Sequence, residues 1–138
     1  SSTLAKIIGW PLYELIVVAL LRNAMAEGFD RKSAIEMNNL LIGQFDTEEF
    51  QRKLHAGWHA TDDQVEKLKW KQKVCLEVQG PIIQMWGYEA SRKGVFLSTQ
   101  AFALFAHDPL VQSLNTYIGW LVDPDWQARM PQGPRGHQ

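Results

Sequence analysis

Two histidines are the residues whose type and spacing most directly suggest chemistry. His55 and His59 stand four residues apart, and on a helix this spacing places two imidazoles on one face, where they can bind a metal ion. Asp62 or Asp63 can supply a further ligand. However, no acidic residue lies between the histidines as in a zinc protease, and Gly57 weakens the helix that must orient them. The pattern leaves open a small metal-dependent enzyme, but it favours histidines without a metal.

Other reactive side chains have structural explanations. A lone Cys75 in a chain with four histidines can indicate a thiol nucleophile, but its apolar neighbours shield it and raise its pKa. The acidic pairs 48–49 and 62–63 fall in the first turns of predicted helices, where carboxylates complement the helix dipole. The chain has no phosphate-binding glycine loop, Gly-x-Ser-x-Gly motif, paired cysteine ligands or calcium loop. We therefore predict a non-catalytic protein that needs no cofactor.

Trp70 lies within a basic segment that contains Lys67, Lys69, Lys71 and Lys73. A basic amphipathic helix with an aromatic anchor is typical of peptides that bind an acidic, methionine-rich groove such as that of calmodulin. The alternative is a solvated basic edge on a helix of the core, and the sequence favours this second interpretation.

Composition limits the class of protein. The chain has 138 residues, 46% of them hydrophobic, and a net charge of −1, which indicates one globular domain and gives no reason to expect nucleic acid as a partner. The apolar run Leu15–Leu21 is far shorter than the ~20 residues of a membrane span, so we predict no span, although peripheral membrane association stays open. One cysteine indicates a reducing compartment. We expect the cytoplasm or, because the chain starts without Met, the mitochondrion after removal of a targeting segment.

Apolar periodicity predicts an all-α fold, a compact array of about five to seven helices around one core. The predicted helices cover about residues 11–27, 31–42, 47–57, 62–87, 95–106 and 109–122. The segment around Trp70 also alternates like a strand, but no other segment offers a partner strand. We expect an N-terminal segment over 1–9, a single helical domain over 10–124 and a flexible C-terminal tail over 125–138.

Capping residues support these helix starts. Asp30 and Asp108 precede two of the helices as N-caps, and Pro109 suits the first helical position after Asp108. Two pairs have capping-box spacing, Asp46 with Glu49 and Thr61 with Gln64. Gly80-Pro81 predicts a kink in the fourth helix.

A contact surface is predicted from apolar residues that one short chain cannot easily cover. The first predicted helix is apolar on all sides, so this chain or another protein must shield it. Trp10 precedes it, and Trp126 lies in the predicted tail; both can contact a partner or fold back on the domain. The predicted partner-binding residues are Trp10, Val17, Val18, Leu21, Trp70 and Trp126.

The second half of the chain resembles a known family. The segments PIIQMWGYEASRKGVF and AHDPLVQSLNTYIGWLVDP resemble the protein C-ten (camkinin) family in the order and spacing of the residues that begin and end their helices. The shared features are Gly87-Tyr88, Gly94-Val95, Asp108-Pro109, Ser113-Leu114, Leu121 and Pro124. The resemblance covers about residues 72–124, whereas the apolar first helix and the tryptophan content depart from it.

This resemblance implies a compact all-helical protein without known catalytic residues. The family is linked to neural development and to a calmodulin-dependent kinase, and it offers no functional residue to transfer. We therefore predict a non-catalytic protein–protein interaction or assembly subunit. One alternative is an accessory subunit of a large membrane-associated complex, such as a mitochondrial one, and another is a metal-dependent enzyme that uses His55 and His59.

Overall fold

The computed structural model describes residues 29–134, and these fold into helices around a single apolar core. The described helices are α1 (Arg31–Phe45), α2 (Glu48–Trp58), α3 (Gln64–Gln84), α4 (Arg92–Ala101), α5 (Pro109–Leu121) and α6 (Pro124–Arg129), with a 3₁₀ turn at Phe102–Phe105. This architecture confirms the predicted all-α array. The first predicted helix, at 11–27, lies outside the described residues. Within 29–134, no helix is both long and apolar enough to cross a membrane.

Side-chain caps fix the helix starts, and the structure corrects two of the predicted ones. Asp30 and Asp108 cap α1 and α5 as expected. The cap of α2 is Thr47 rather than Asp46, because Asp46 instead closes the end of α1 through its backbone N–H. Asp63 rather than Thr61 caps α3, since the Thr61 hydroxyl accepts a bond from the Asp63 amide. Both predicted capping boxes were therefore misplaced.

Several helix boundaries also differ from the prediction. Helix α1 continues through Gly43 to Phe45, where the ring is fully buried. Helix α3 runs through Pro81 to Gln84, which confirms a helix rather than a strand around Trp70. Helix α4 begins earlier than predicted and gives way to the 3₁₀ turn.

The segment assigned to a flexible tail contains the sixth helix. Pro124 occupies the first turn of α6 after the Asp123 cap, whose carboxylate accepts bonds from two backbone amides. Gln127, within α6, donates to the carbonyls of Trp120 and Leu121 at 2.9 and 3.0 Å. The sequence-based prediction missed this helix because six residues are too few to show an apolar period. The boundary predicted at residue 124 therefore falls inside an element of the domain.

Helices α1 and α5 pack side by side and run in the same direction. Arg31 at the start of α1 forms an ion pair with Asp108 at the start of α5. Midway along, Asn38 bonds to Asn115, and both pairs are separated by 77 positions in sequence. Near the far ends, the Tyr117 hydroxyl lies 3.2 Å from an Asp46 carboxylate oxygen. The two helices are therefore parallel and held at both ends and the middle.

A glutamine from α2 joins the C-terminal ends of this parallel pair. The Gln51 side-chain amide donates to the carbonyl of Phe45, the last residue of α1, at 2.9 Å, and to that of Leu121, the last of α5, at 2.8 Å. Gln127 reinforces the end of α5, and its Nε2 also donates to the side-chain oxygen Oε1 of Gln51 at 3.1 Å. Two helix ends that would otherwise present orphan carbonyls are thus satisfied by one network.

Helix α3 packs against α2 through an indole placed on a glycine. The Trp70 Nε1 donates to the Leu54 carbonyl at 3.1 Å. A Cβ on Gly57 would lie 2.0 Å from Trp70 Cε2, closer than real Cβ contacts allow. The glycine that weakens α2 on propensity grounds is therefore needed for the contact between α2 and α3.

We predict that Gly57→Ala lowers the free energy of unfolding by about 1–3 kcal/mol, because the added methyl group displaces the indole. Gly43→Ala is the matched control. A Cβ there has no atom within 4 Å, so the better helix propensity of Ala should raise stability by about 0.5–1 kcal/mol. Urea unfolding followed by circular dichroism measures both, and equal effects of the two substitutions would contradict the packing argument.

The Asp108 carboxylate should make stability depend on acid pH. Its hydrogen bond from Arg31, followed by the bond from the Val111 amide, holds its pKa below the ordinary 3.8. A lowered pKa stabilises the fold above 3.8, and this contribution disappears as the pH falls through the folded-state pKa. Asp108→Asn keeps a capping side chain but loses the charge.

The wild type should therefore have a larger free energy of unfolding than Asp108→Asn at neutral pH. This difference should become smaller well below pH 3.8. Urea unfolding at both pH values measures it. Asp62→Asn, which removes an exposed carboxylate before α3, controls for net charge. A gap that does not change with pH would contradict the role of the carboxylate.

Candidate binding groove between α1, α4 and α5

A groove of about 530 Å³ opens between α1, α4 and α5, and residues of α3 and the 3₁₀ turn complete its wall. Its volume lies within the range of ligand-binding clefts. From α1 the wall includes Met37 and Leu41, and from α5 it includes Ile118. The parallel pairing of α1 and α5 therefore builds one side of the groove, and α4 with the 3₁₀ turn builds the other.

No side chain that lines this groove is ionisable. Its wall combines apolar groups, such as Leu41 and Phe102, with neutral amides and hydroxyls. The wall therefore supplies no carboxylate, imidazole, amine or thiol for general acid–base catalysis or metal binding. Because an unpaired charge is costly to bury, the groove favours an uncharged, largely apolar occupant.

Several polar side chains of α4 and α5 in the groove are engaged by the fold. The Ser98 and Thr99 hydroxyls both donate to the Val95 carbonyl, at 2.8 and 2.9 Å. The Gln112 side-chain amide donates to the Phe105 carbonyl at 3.1 Å, which joins α5 to the 3₁₀ turn. These bonds leave the apolar surface as the main feature that an occupant would meet.

A partly buried amide pair joins the two parallel helices at the groove. The Asn38 side chain is 1% exposed and donates from Nδ2 to Asn115 Oδ1 at 2.8 Å. Both residues line the groove. Because a buried amide without a partner is costly, this bond fixes the relative position of α1 and α5 along their length.

The histidine pair does not line the groove, and His55 belongs to a structural network. The His55 and His59 rings are 5.5 Å apart between centroids. His55 Nε2 lies 2.8 Å from Gln127 Oε1, and since the Gln127 amide nitrogen donates to backbone carbonyls, Nε2 must carry the proton in this bond. That nitrogen is then not a metal ligand. Within residues 29–134, no three His, Cys, Asp or Glu side chains are placed to hold a metal ion.

The Cys75 thiol is buried in the core, as its apolar neighbours predicted. Burial raises its pKa to about 12, against a smaller opposing effect of the nearby Lys71 ammonium. The thiol is therefore protonated at neutral pH and is a poor nucleophile.

The structure places Trp70 and Trp126 against the domain, each partly buried. Trp70 packs on Gly57 in α2, and the Lys73 ammonium lies 5.7 Å from its ring centre. Its indole therefore cannot serve as a free anchor while α2 and α3 stay packed. The Trp126 Nε1 lies 3.2 Å from the Met130 sulfur, and its ring approaches Gly119, which lines the groove. Trp126 thus packs beside a residue of the groove wall.

The remaining predicted contact residues, Trp10, Val17, Val18 and Leu21, lie outside the described residues. Sequence reasoning did not identify the groove itself, because its two sides are distant in sequence. One signal was available: Asn38 interrupts the apolar face of α1 formed by Ala34, Met37 and Leu41. A polar residue on a core-facing stripe indicates a partner elsewhere in the fold, although it does not name Asn115.

Comparison of the chain with protein-family models, curated proteins and solved structures gave no significant match.

We predict that Asn115→Ala lowers the free energy of unfolding by about 1–3 kcal/mol, because it leaves the buried Asn38 amide unpaired. The double variant Asn38→Leu with Asn115→Leu should lose less free energy of unfolding than the single variants Asn38→Leu and Asn115→Leu lose together, since no orphan amide remains in it. Asn39→Ala, at an exposed position of α1, should change stability by under about 0.5 kcal/mol. Additive effects in a double-mutant cycle by urea unfolding would show that the pair does not couple α1 to α5.

Proposed function

We propose that this protein is a non-catalytic interaction domain whose neutral groove receives apolar side chains of a partner protein. The supporting observation is the groove of about 530 Å³ without an ionisable lining residue. A cleft of that size with neutral walls suits shape and apolar complementarity rather than acid–base chemistry. The groove thus extends the predicted function, an interaction or assembly subunit, to a defined surface.

The occupant that fits best is the uncharged face of an amphipathic helix. Such a helix presents apolar side chains along one stripe, at positions i, i+3, i+4 and i+7. The groove offers a matching wall in which Leu41, Phe102 and Ile118 belong to three separate elements. The Asn38–Asn115 pair lies within it, so a neutral polar side chain on the partner can join the same hydrogen-bonding network.

The proposed resemblance to the C-ten family is compatible with this function and stays a prediction. Its span, about 72–124, includes α4, α5 and most of α3, the elements that supply much of the groove wall. We propose the cytoplasm as the compartment, with the mitochondrion as the alternative, and the free thiol of Cys75 supports a reducing environment. An accessory role in a larger assembly is one form of the same proposal. The metal-enzyme alternative is not favoured, since the His55–Gln127 bond occupies a ring nitrogen.

Site-specific photo-crosslinking tests the proposal. Benzoylphenylalanine replaces Ala103, which is exposed and lines the groove, or Ala56, which is exposed on α2 and away from it. The full-length protein is irradiated in extract of the native source. We expect position 103 to yield a specific protein adduct that position 56 lacks. The crosslinked peptide should have an uncharged, apolar face at helical spacing.

A groove-filling change provides the second arm. Ala106 also lines the groove and is exposed, so Ala106→Trp should block the cleft and abolish the adduct, whereas Ala56→Trp should leave it intact. Circular dichroism confirms that both variants are folded. Equal labelling from positions 103 and 56, persistence of the adduct in Ala106→Trp, or an adduct only with residues 1–28 of the same chain would overturn the proposal.

A further inference from the structure

A second cavity, of about 310 Å³, lies between α3 and α4 and is bounded at one end by Val122, just after α5. Successive turns of one α3 face contribute Lys71, Cys75 and Leu76 to its wall. Helix α4 contributes Arg92, Val95 and Phe96. Its volume is at the lower end of the range for ligand sites, so any ligand that it encloses is small.

The charge of this cavity distinguishes it from the neutral groove. Lys71 and Arg92 line it, and no carboxylate does. The ion pairs among residues 29–134 involve other cations, namely Arg31, Lys32, Lys53 and Lys69. Lys71 and Arg92, one on each wall, take part in none of these ion pairs.

The rest of the cavity is largely apolar. Leu76, Val95 and Phe96 line it beside the buried Cys75. The Phe96 ring is 47% exposed, although so large an apolar side chain is normally buried. An apolar ligand in this cavity would cover part of that ring and gain the corresponding hydrophobic free energy.

We propose that this cavity binds a small organic carboxylate with an apolar body. The Arg92 guanidinium offers a planar fork of donors that matches a carboxylate, and Lys71 supplies a second positive charge from the opposite helix. The body of the ligand packs on Leu76, Val95 and Phe96. This inference concerns a different cavity from the proposed protein-binding groove, so either can fail without the other.

Nuclear magnetic resonance titration of the full-length protein tests the site with three probes: octanoate, its neutral analogue octanamide, and inorganic phosphate. We expect octanoate to shift the amide signals of residues 71–79 and 92–96 in a saturable way. Octanamide lacks the charge and phosphate lacks the apolar body, so both should bind at least about tenfold more weakly.

Charge-neutralising variants locate the binding groups. Arg92→Gln and Lys71→Gln should each raise the octanoate Kd by about tenfold, whereas Arg92→Lys should retain part of the affinity. The matched controls are Lys93→Gln and Lys69→Gln, which remove the same charge from neighbouring residues that do not line the cavity, and these should leave the Kd unchanged. Thermal unfolding verifies that each variant is folded.

Three results would overturn the proposal. Equal affinity for octanamide and octanoate would show that the cavity only absorbs apolar molecules. Equal weakening by Lys93→Gln and Arg92→Gln would show that net charge alone is responsible. Shifts confined to amides outside 71–79 and 92–96 would place the ligand elsewhere.

Discussion

Parallel packing of α1 and α5 is the constraint on which the described fold depends. Adjacent helices in a chain usually return antiparallel through a short loop, whereas these two are joined through α2, α3 and α4. Their dipoles therefore point the same way, with two positive ends together and two negative ends together. At the positive ends lie the carboxylates of Asp30 and Asp108, and at the negative ends lies the Gln51 side-chain amide. Each end thus has groups of the complementary polarity.

The intervening helices are positioned by contacts with this pair. Gln51 places the start of α2 across both C-terminal ends, and Trp70 then fixes α3 on α2 through Gly57. Helix α4 packs on α3, and the 3₁₀ turn after it is joined to α5 by Gln112. The neutral groove is the space that this route leaves beside the parallel pair. The shape of the groove is therefore set by side-chain amides that donate to backbone carbonyls as well as by the apolar core.

Local sequence rules predicted the helices, whereas contacts between residues distant in sequence determine how these helices pack. Asp108 with Pro109 is a strong start signal, and α5 begins there. Thr47 caps α2 because Asp46 closes the end of α1, and Asp63 caps α3 while the Thr61 hydroxyl accepts a bond from the Asp63 amide. The Asn38–Asn115 pair, the indole on Gly57 and both cavities join residues far apart in sequence. Periodicity describes one helix at a time, so it could not indicate these contacts.

Gln79 and Val95 line both cavities, so these two side chains form a shared partition. A rotamer change that enlarges the space on one side takes volume from the other, because side-chain packing leaves little slack. If both proposed sites are occupied, such a change links the affinity of one for its ligand to that of the other, and thermodynamic reciprocity requires the effect to be equal in both directions.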